Sequence, residues 1–126
     1  MKKNILVVDD EPEILNLFHI FLETAGYLVD TSPTAGDAVD KIRQKKFHLV
    51  LLDINLPDAR GMDLLEKINH IQPDMIKIVI SGESSYDAEG ARGDFVDAFL
   101  QKPVSKENLL SIVERKLREH EGAPAK

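Results

Sequence analysis

Short, continuous apolar runs alternate along this chain with stretches patterned like helices, and that alternation leaves few folds open. The runs at 5–8 (ILVV), 49–53 (LVLLD) and 76–81 (IKIVIS) are too short for helices and rich in β-branched residues. Strands buried on both faces read this way, because neither face calls for a polar position. Two weaker runs, 27–32 (YLVDTS) and 98–102 (AFLQK), carry polar residues and suit half-covered edge strands.

Helical signals fill the intervals. Pro12 suits a first helical turn ahead of 13–24, and Gly26 closes that segment. Thr34 is placed to cap a helix over 35–45, with Asp37 complementing its positive end. Met62, Leu64, Leu65, Ile68 and Ile71 recur at helical spacing until Pro73, and Leu109, Ile112, Val113 and Leu117 do so behind Ser105. Alternating strands and helices imply a parallel sheet covered on both faces. With the most apolar strands central and the second and fifth at the edges, the order 2-1-3-4-5 is permitted. That order is a flavodoxin-like, doubly wound α/β fold of five βα units, with its crevice between strands one and three.

At 126 residues the chain is one domain, placed here at 1–120, with 121–126 (EGAPAK) as a frayed tail or the start of a linker. No cysteine is present, which excludes disulfides and thiolate zinc sites. The apolar run near the N-terminus is too short for a signal-peptide core or a membrane span, so a cytoplasmic protein without membrane contact is expected. Sixteen basic against 22 acidic residues give a net charge of −6, which argues against direct nucleic-acid binding. His19, His48, His70 and His120 are scattered without paired metal spacing.

The stretch NILVVDDEP sets three acids directly behind a buried strand. In doubly wound sheets ligands bind beyond the carboxyl ends of the strands. There strand one ends at Asp9 and Asp10, strand three at Asp53, strand four at Ser81 and strand five at Lys102. Clustered carboxylates attract a hard cation such as Mg²⁺, which would offset their repulsion. A lysine and a hydroxyl suit phosphoryl oxygens, leaving one carboxylate as a nucleophile on phosphorus. Taken singly, each residue has a bland reading: a helix cap, a turn residue, a solvated lysine. Their joint occurrence at four strand ends favours the metal and phosphoryl chemistry.

LVVDDEP, LVLLDINLPDARGMDLL, IVISG and AFLQKP together resemble the successive signatures of the receiver domain of two-component response regulators, over about 4–120. The resemblance implies that Asp53 is the phosphoacceptor. It makes Asp10, Asp53 and the Asn55 backbone carbonyl ligands of Mg²⁺, with Asp9 acting through water. Lys102 would contact the phosphoryl group, and Lys102–Pro103 would be a cis peptide. Ser81 and Phe99 fall at the family's switch positions, acting on a face made of the fourth helix, strand five and the last helix. Asn55 and Glu83 would tune phosphoryl lifetime. The implied partners are a sensor histidine kinase or phosphotransfer protein, and an output protein or an output domain lying outside this sequence. A phosphorylation-dependent homodimer is a further implication. The domain would assist its own phosphorylation and dephosphorylation without being an enzyme.

Departures from the family concentrate in 82–97. Gly82 stands where alanine is common, and Gly90 and Gly93 interrupt the expected fourth helix at about 1 kcal/mol each relative to alanine. A short or irregular helix is expected there. Ile14, Leu15, Leu17, Phe18, Ile20, Phe21 and Leu22 span an arc of about 220° on the first helix. Either the helix packs on both the sheet and the last helix, or part of the arc docks a kinase helix. Phe99 is open between plain packing and switching. The alternatives to a phosphoacceptor are a receiver-like interaction module that is never phosphorylated and an aspartate-nucleophile phosphatase. The phosphatase would need a DxDx pattern on strand one, which DDEP does not supply.

Overall fold

A computed structural model describes residues 2–82 and 96–122. Its elements run β1 (Asn4–Val8), α1 (Pro12–Thr24), β2 (Leu28–Ser32), α2 (Ala35–Gln44), β3 (Leu49–Asp53), α3 (Gly61–Ile71), β4 (Ile76–Ser81), β5 (Ala98–Gln101) and α4 (Lys106–Gly122). The five strands are parallel in the order β2-β1-β3-β4-β5, the expected order, with the two less apolar strands at the edges. The α4 helix is the one expected last from the sequence. Residues 83–95, where an irregular helix was expected, lie outside the described residues, and Glu83 lies there with them.

Alternation along the strands sorts the core into two layers. Ile5, Val7, Leu49, Leu51, Ile78 and Ile80 face α1 and α4, where they meet Phe18, Leu22, Leu109 and Val113. Leu6, Val8, Val50, Leu52 and Val79 face the other way, onto Ala38 and Ile42 of α2 and Leu64, Leu65 and Ile68 of α3. The central strands therefore need apolar residues at every position. On α1, Phe18 and Leu22 are buried and Ile14 is half-buried, while Leu17 is 43% and Ile20 59% exposed. The wide arc thus exceeds what the core covers.

Helix ends follow the local chemistry. Thr34 Oγ1 accepts the Asp37 amide at 3.1 Å, and Ser105 Oγ accepts the Asn108 amide at 3.1 Å. Gly26 terminates α1 at φ +104°, a left-handed conformation that disfavours any side chain. Gln72, just past α3, donates to the Ile42 and Lys45 carbonyls at 2.7 and 2.8 Å and accepts the Phe47 amide at 3.2 Å. That single amide fastens α3 to the α2–β3 turn. The last helix reaches Gly122, and Glu121 pairs with Lys3 across the base of the sheet.

Lys77 is the anomaly of the core. It aligns with Val50 on a fully buried strand, is 3% exposed, and donates its ammonium to the Met75 carbonyl at 2.7 Å. Burial lowers its pKa, and the charges of Asp97 and Asp74 oppose that shift without cancelling it. A buried charge with one neutral acceptor costs more than an apolar group of similar length. Lys77→Met is therefore expected to raise stability by about 1 kcal/mol at pH 7, read as a higher urea midpoint. A lower midpoint would mean that attraction to Asp97 and Asp74 outweighs the burial cost.

Candidate functional site

The carboxyl edge of the sheet gathers the polar residues that the apolar strands deliver there. Asp9 follows β1 directly, and its amide donates to the Ser32 carbonyl at 3.1 Å, which extends the β1–β2 ladder by one step. Its side chain is thereby held inward, and the residue is only 2% exposed. Oδ1 of Asp9 accepts the Glu11 amide at 2.9 Å. Asp53 is the last residue of β3, paired with Ile80 of β4 and 4% exposed. Its Oδ1 accepts the Asn55 amide at 3.0 Å, a turn that fixes the carboxylate relative to the following loop. Asp10 is exposed at the mouth.

One carboxylate oxygen from each of Asp9, Asp10 and Asp53 lies within 4.8 Å of the other two. Among the described residues they form the one such group of potential metal ligands. Hard oxygen donors from three acids, with no nitrogen or sulfur donor among them, suit Mg²⁺ better than zinc. The site's composition therefore fits that ion.

Lys102 follows β5, and its amide donates to the Ser81 carbonyl at 2.8 Å, so the sheet aims it across the cluster. The Lys102–Pro103 peptide is cis. The ammonium lies 3.0 Å from Asp53 Oδ2, 3.2 Å from Asp9 Oδ2 and 3.4 Å from Glu11 Oε1. The lysine thus supplies positive charge directly to the acids crowded behind β1. Burial pulls the Lys102 pKa down, but the hydrogen bond to Asp53 and the charges of Asp53 and Asp9 outweigh it, and the net shift is upward. Burial pushes the Asp9 carboxyl up, with the Glu11 amide and Lys102 drawing it only part of the way back.

Ser81 ends β4 fully buried, one residue beyond the partner of Asp53. Phe99 lies on β5 opposite Val79, half-buried against the α2–α3 core layer. Asn55 is exposed, with its backbone engaged as described. The fold thus brings Asp9, Asp10, Asp53 and Lys102 into one cluster, sets Ser81 and Asn55 beside its strand ends, and leaves Phe99 on the neighbouring edge strand. Glu11 was not singled out as a partner of Lys102. The adjacency DDE was its only signal, and spacing alone does not say that the third acid turns back towards strand five.

The family model for the response regulator receiver domain matches residues 5–114. The transcriptional regulatory protein GlrR of Escherichia coli K12 is 32% identical over 123 residues, 97% of this chain and 27% of GlrR. A CheY-like response regulator receiver domain protein from Methanospirillum hungatei superposes with a TM-score of 0.90 at 38% identity, covering 98% of this chain and all of that one. The response regulator TrrA of Thermotoga maritima, solved in complex with Mg²⁺-BeF, gives a TM-score of 0.82 at 32% identity over 93% of this chain and 99% of TrrA. The chain spans about a quarter of the length of the curated relatives it matches. With the strand order, the acid cluster and these likenesses agreeing along nearly its whole length, the chain belongs to the response regulator receiver domain family.

Proposed function

We propose that this domain receives a phosphoryl group on Asp53 in a Mg²⁺-dependent step and relays that charge change to an output partner. The observation carrying the proposal is that one ammonium, Lys102, bridges Asp53 and Asp9 at the end of a sheet that buries both acids. An uncrowded structural carboxylate would not need such an arrangement.

Asp53 Oδ attacks the phosphorus of a phosphohistidine or of a small phosphodonor. A P–O bond forms, the bond from phosphorus to the donor's nitrogen or oxygen breaks, and the leaving group departs with the electron pair. Lys102 keeps its proton and moves its hydrogen bond from the carboxylate to a phosphoryl oxygen. Asp10, Asp53 and the Asn55 carbonyl would hold Mg²⁺, with Asp9 behind a water. When bound, that ion neutralises charge on the phosphoryl oxygens. The protein's own contribution is positioning and fixed electrostatics.

Phosphorylation adds acceptor oxygens beside the end of β4, which suits Ser81 for a new hydrogen bond. Phe99, half-buried on the adjacent strand, would respond, biasing the face of β5 and α4. The exposed Leu17 and Ile20 on α1 support the reading in which that helix docks a phosphotransfer partner. Among the described residues no helix is long and apolar enough to cross a membrane.

The test is intact mass after incubation with acetyl phosphate. One added phosphoryl group with Mg²⁺, none with EDTA, and its loss on treatment with hydroxylamine are expected. An unmodified protein that nonetheless binds Mg²⁺ would favour the phosphorylation-independent interaction module.

A further inference from the structure

The loop between β3 and α3 carries Asn55 and closes on itself through an antiparallel bridge between Asn55 and Arg60. At one end, the Asn55 amide is tied to Asp53 Oδ1 and the Ile54 amide to the Ile80 carbonyl at 3.0 Å. From within the loop, Asp58 reaches away from its own strand. Its Oδ1 accepts the Ala35 amide at 2.9 Å and its Oδ2 accepts the Gly36 amide at 3.0 Å. These are the first two amides of α2, and the third, on Asp37, is taken by Thr34 Oγ1. A carboxylate is favoured there by both orphan donors and the helix dipole. The two amides hold the Asp58 carboxyl below the usual range.

We propose that Asp58 is a positioning residue for the metal site, clamping the Asn55-bearing loop to the N-terminus of α2. The inference rests on the reading above, in which the Asn55 carbonyl is a ligand. That carbonyl has no side-chain stem of its own to orient it, so its direction depends on where the loop is held. One anchor is Asp53 and the other is Asp58, which fixes the loop to a helix on the opposite side of the switch crevice. Without the second anchor, the bridge between Asn55 and Arg60 remains but the loop can pivot as a unit. The cost then falls on metal affinity rather than on the chemistry of Asp53.

The experiment is calorimetric titration of Mg²⁺ into wild type, Asp58→Ala, Asp58→Asn and Asp10→Asn, with urea midpoints measured on each. Outer-shell support of a ligand is commonly worth 10–100-fold in affinity, and acting through the loop, Asp58→Ala is expected to weaken Mg²⁺ binding about tenfold. Asp58→Asn, which keeps one acceptor oxygen, should lose less. Phosphoryl uptake by Asp58→Ala should be slow at low Mg²⁺ and return to the wild-type rate at saturation, which a general loss of structure would not produce. Wild-type affinity in Asp58→Ala, even with a lower urea midpoint, would reduce Asp58 to a helix cap and overturn the proposal. Should that variant fail to fold, unchanged affinity in Asp58→Asn overturns it equally. Absence of Mg²⁺ binding in the wild type would overturn the metal-site reading and this inference with it. Loss of binding in Asp10→Asn alone would leave the site reading intact and remove only the role of Asp58.

Discussion

A Lys102→Met variant is expected to take up phosphoryl groups from acetyl phosphate at least about 100-fold more slowly than wild type at saturating Mg²⁺. The ammonium sits 3.0 Å from the proposed nucleophile, and among the described residues Lys102 is the one strand-end residue that supplies a positive charge to the cluster. It is preorganised by the β4–β5 ladder, so it reorganises little as charge builds on the transferring group. Removing one such donor typically costs two to three orders of magnitude. The same substitution leaves Asp9 and Asp53 buried without their counter-charge. Because Lys102 is partly solvated, the expected loss of stability in EDTA is about 1–2 kcal/mol, below that for a fully buried pair. Mg²⁺ should recover more stability in Lys102→Met than in wild type, since it no longer shares the carboxylates with an ammonium. Equal uptake rates in the two proteins would remove Lys102 from the reaction.

Asp9→Asn should behave in the opposite sense. Burial raises the Asp9 carboxyl above its unfolded value. Between those two values the folded chain binds more protons than the unfolded one, so stability falls as pH rises through the window. The deficit is complete once pH has passed the raised folded value and absent below the unfolded value of ~3.9. The neutral amide escapes it while keeping an oxygen for the Glu11 amide. We expect Asp9→Asn to be more stable than wild type by about 1 kcal/mol at pH 7 in EDTA, allowing for screening by Lys102 and water. The difference should vanish towards pH 4, and saturating Mg²⁺ should shrink or reverse it, because wild type gains binding energy. Urea midpoints across pH with and without Mg²⁺ measure all three. A variant less stable than wild type at pH 7 in EDTA would show that the Asp9–Lys102 attraction exceeds the cost of burying the acid.

Together these variants describe a site whose two requirements conflict. Binding a cation and a phosphoryl group needs acids gathered out of water, and gathering them strains the fold. Lys102 relieves that strain in the arrangement described, and it is also the group that must change partners when phosphate arrives.

Most of this was legible in the chain because the signals are redundant. Residues 5–8 and 49–53 read as strands buried on both faces, and the polar positions in 27–32 and 98–102 placed those strands at the edges, where they are found. Once the order was fixed, Asp9, Asp10, Asp53, Ser81 and Lys102 fell at adjacent ends without reference to any contact. What sequence did not supply were interactions that depend on how a loop returns. Asp58 sits in a stretch with no period, and its partners lie 22 and 23 positions away. Glu11 meets Lys102 across 91 positions. Lys77 interrupts a strand whose pattern otherwise demands an apolar residue, and a run of that kind is read by its neighbours. Glu121 meets Lys3, an ion pair between the two ends of the described chain that spacing does not reveal. The arc on α1 was too wide for one core stripe, and only exposure of Leu17 and Ile20 distinguishes a second packing face from a free one.

The most direct test of the central claim is to locate the phosphoryl group. Protein incubated with acetyl phosphate and Mg²⁺ is reduced with borohydride, which converts an aspartyl-phosphate to homoserine, and peptides are then mapped by mass spectrometry. Homoserine at position 53, absent from the EDTA control and from Asp53→Asn, is the result expected here. Homoserine at Asp9 or Asp10 in wild type, or undiminished modification of Asp53→Asn, would contradict the assignment of Asp53 as the phosphoacceptor.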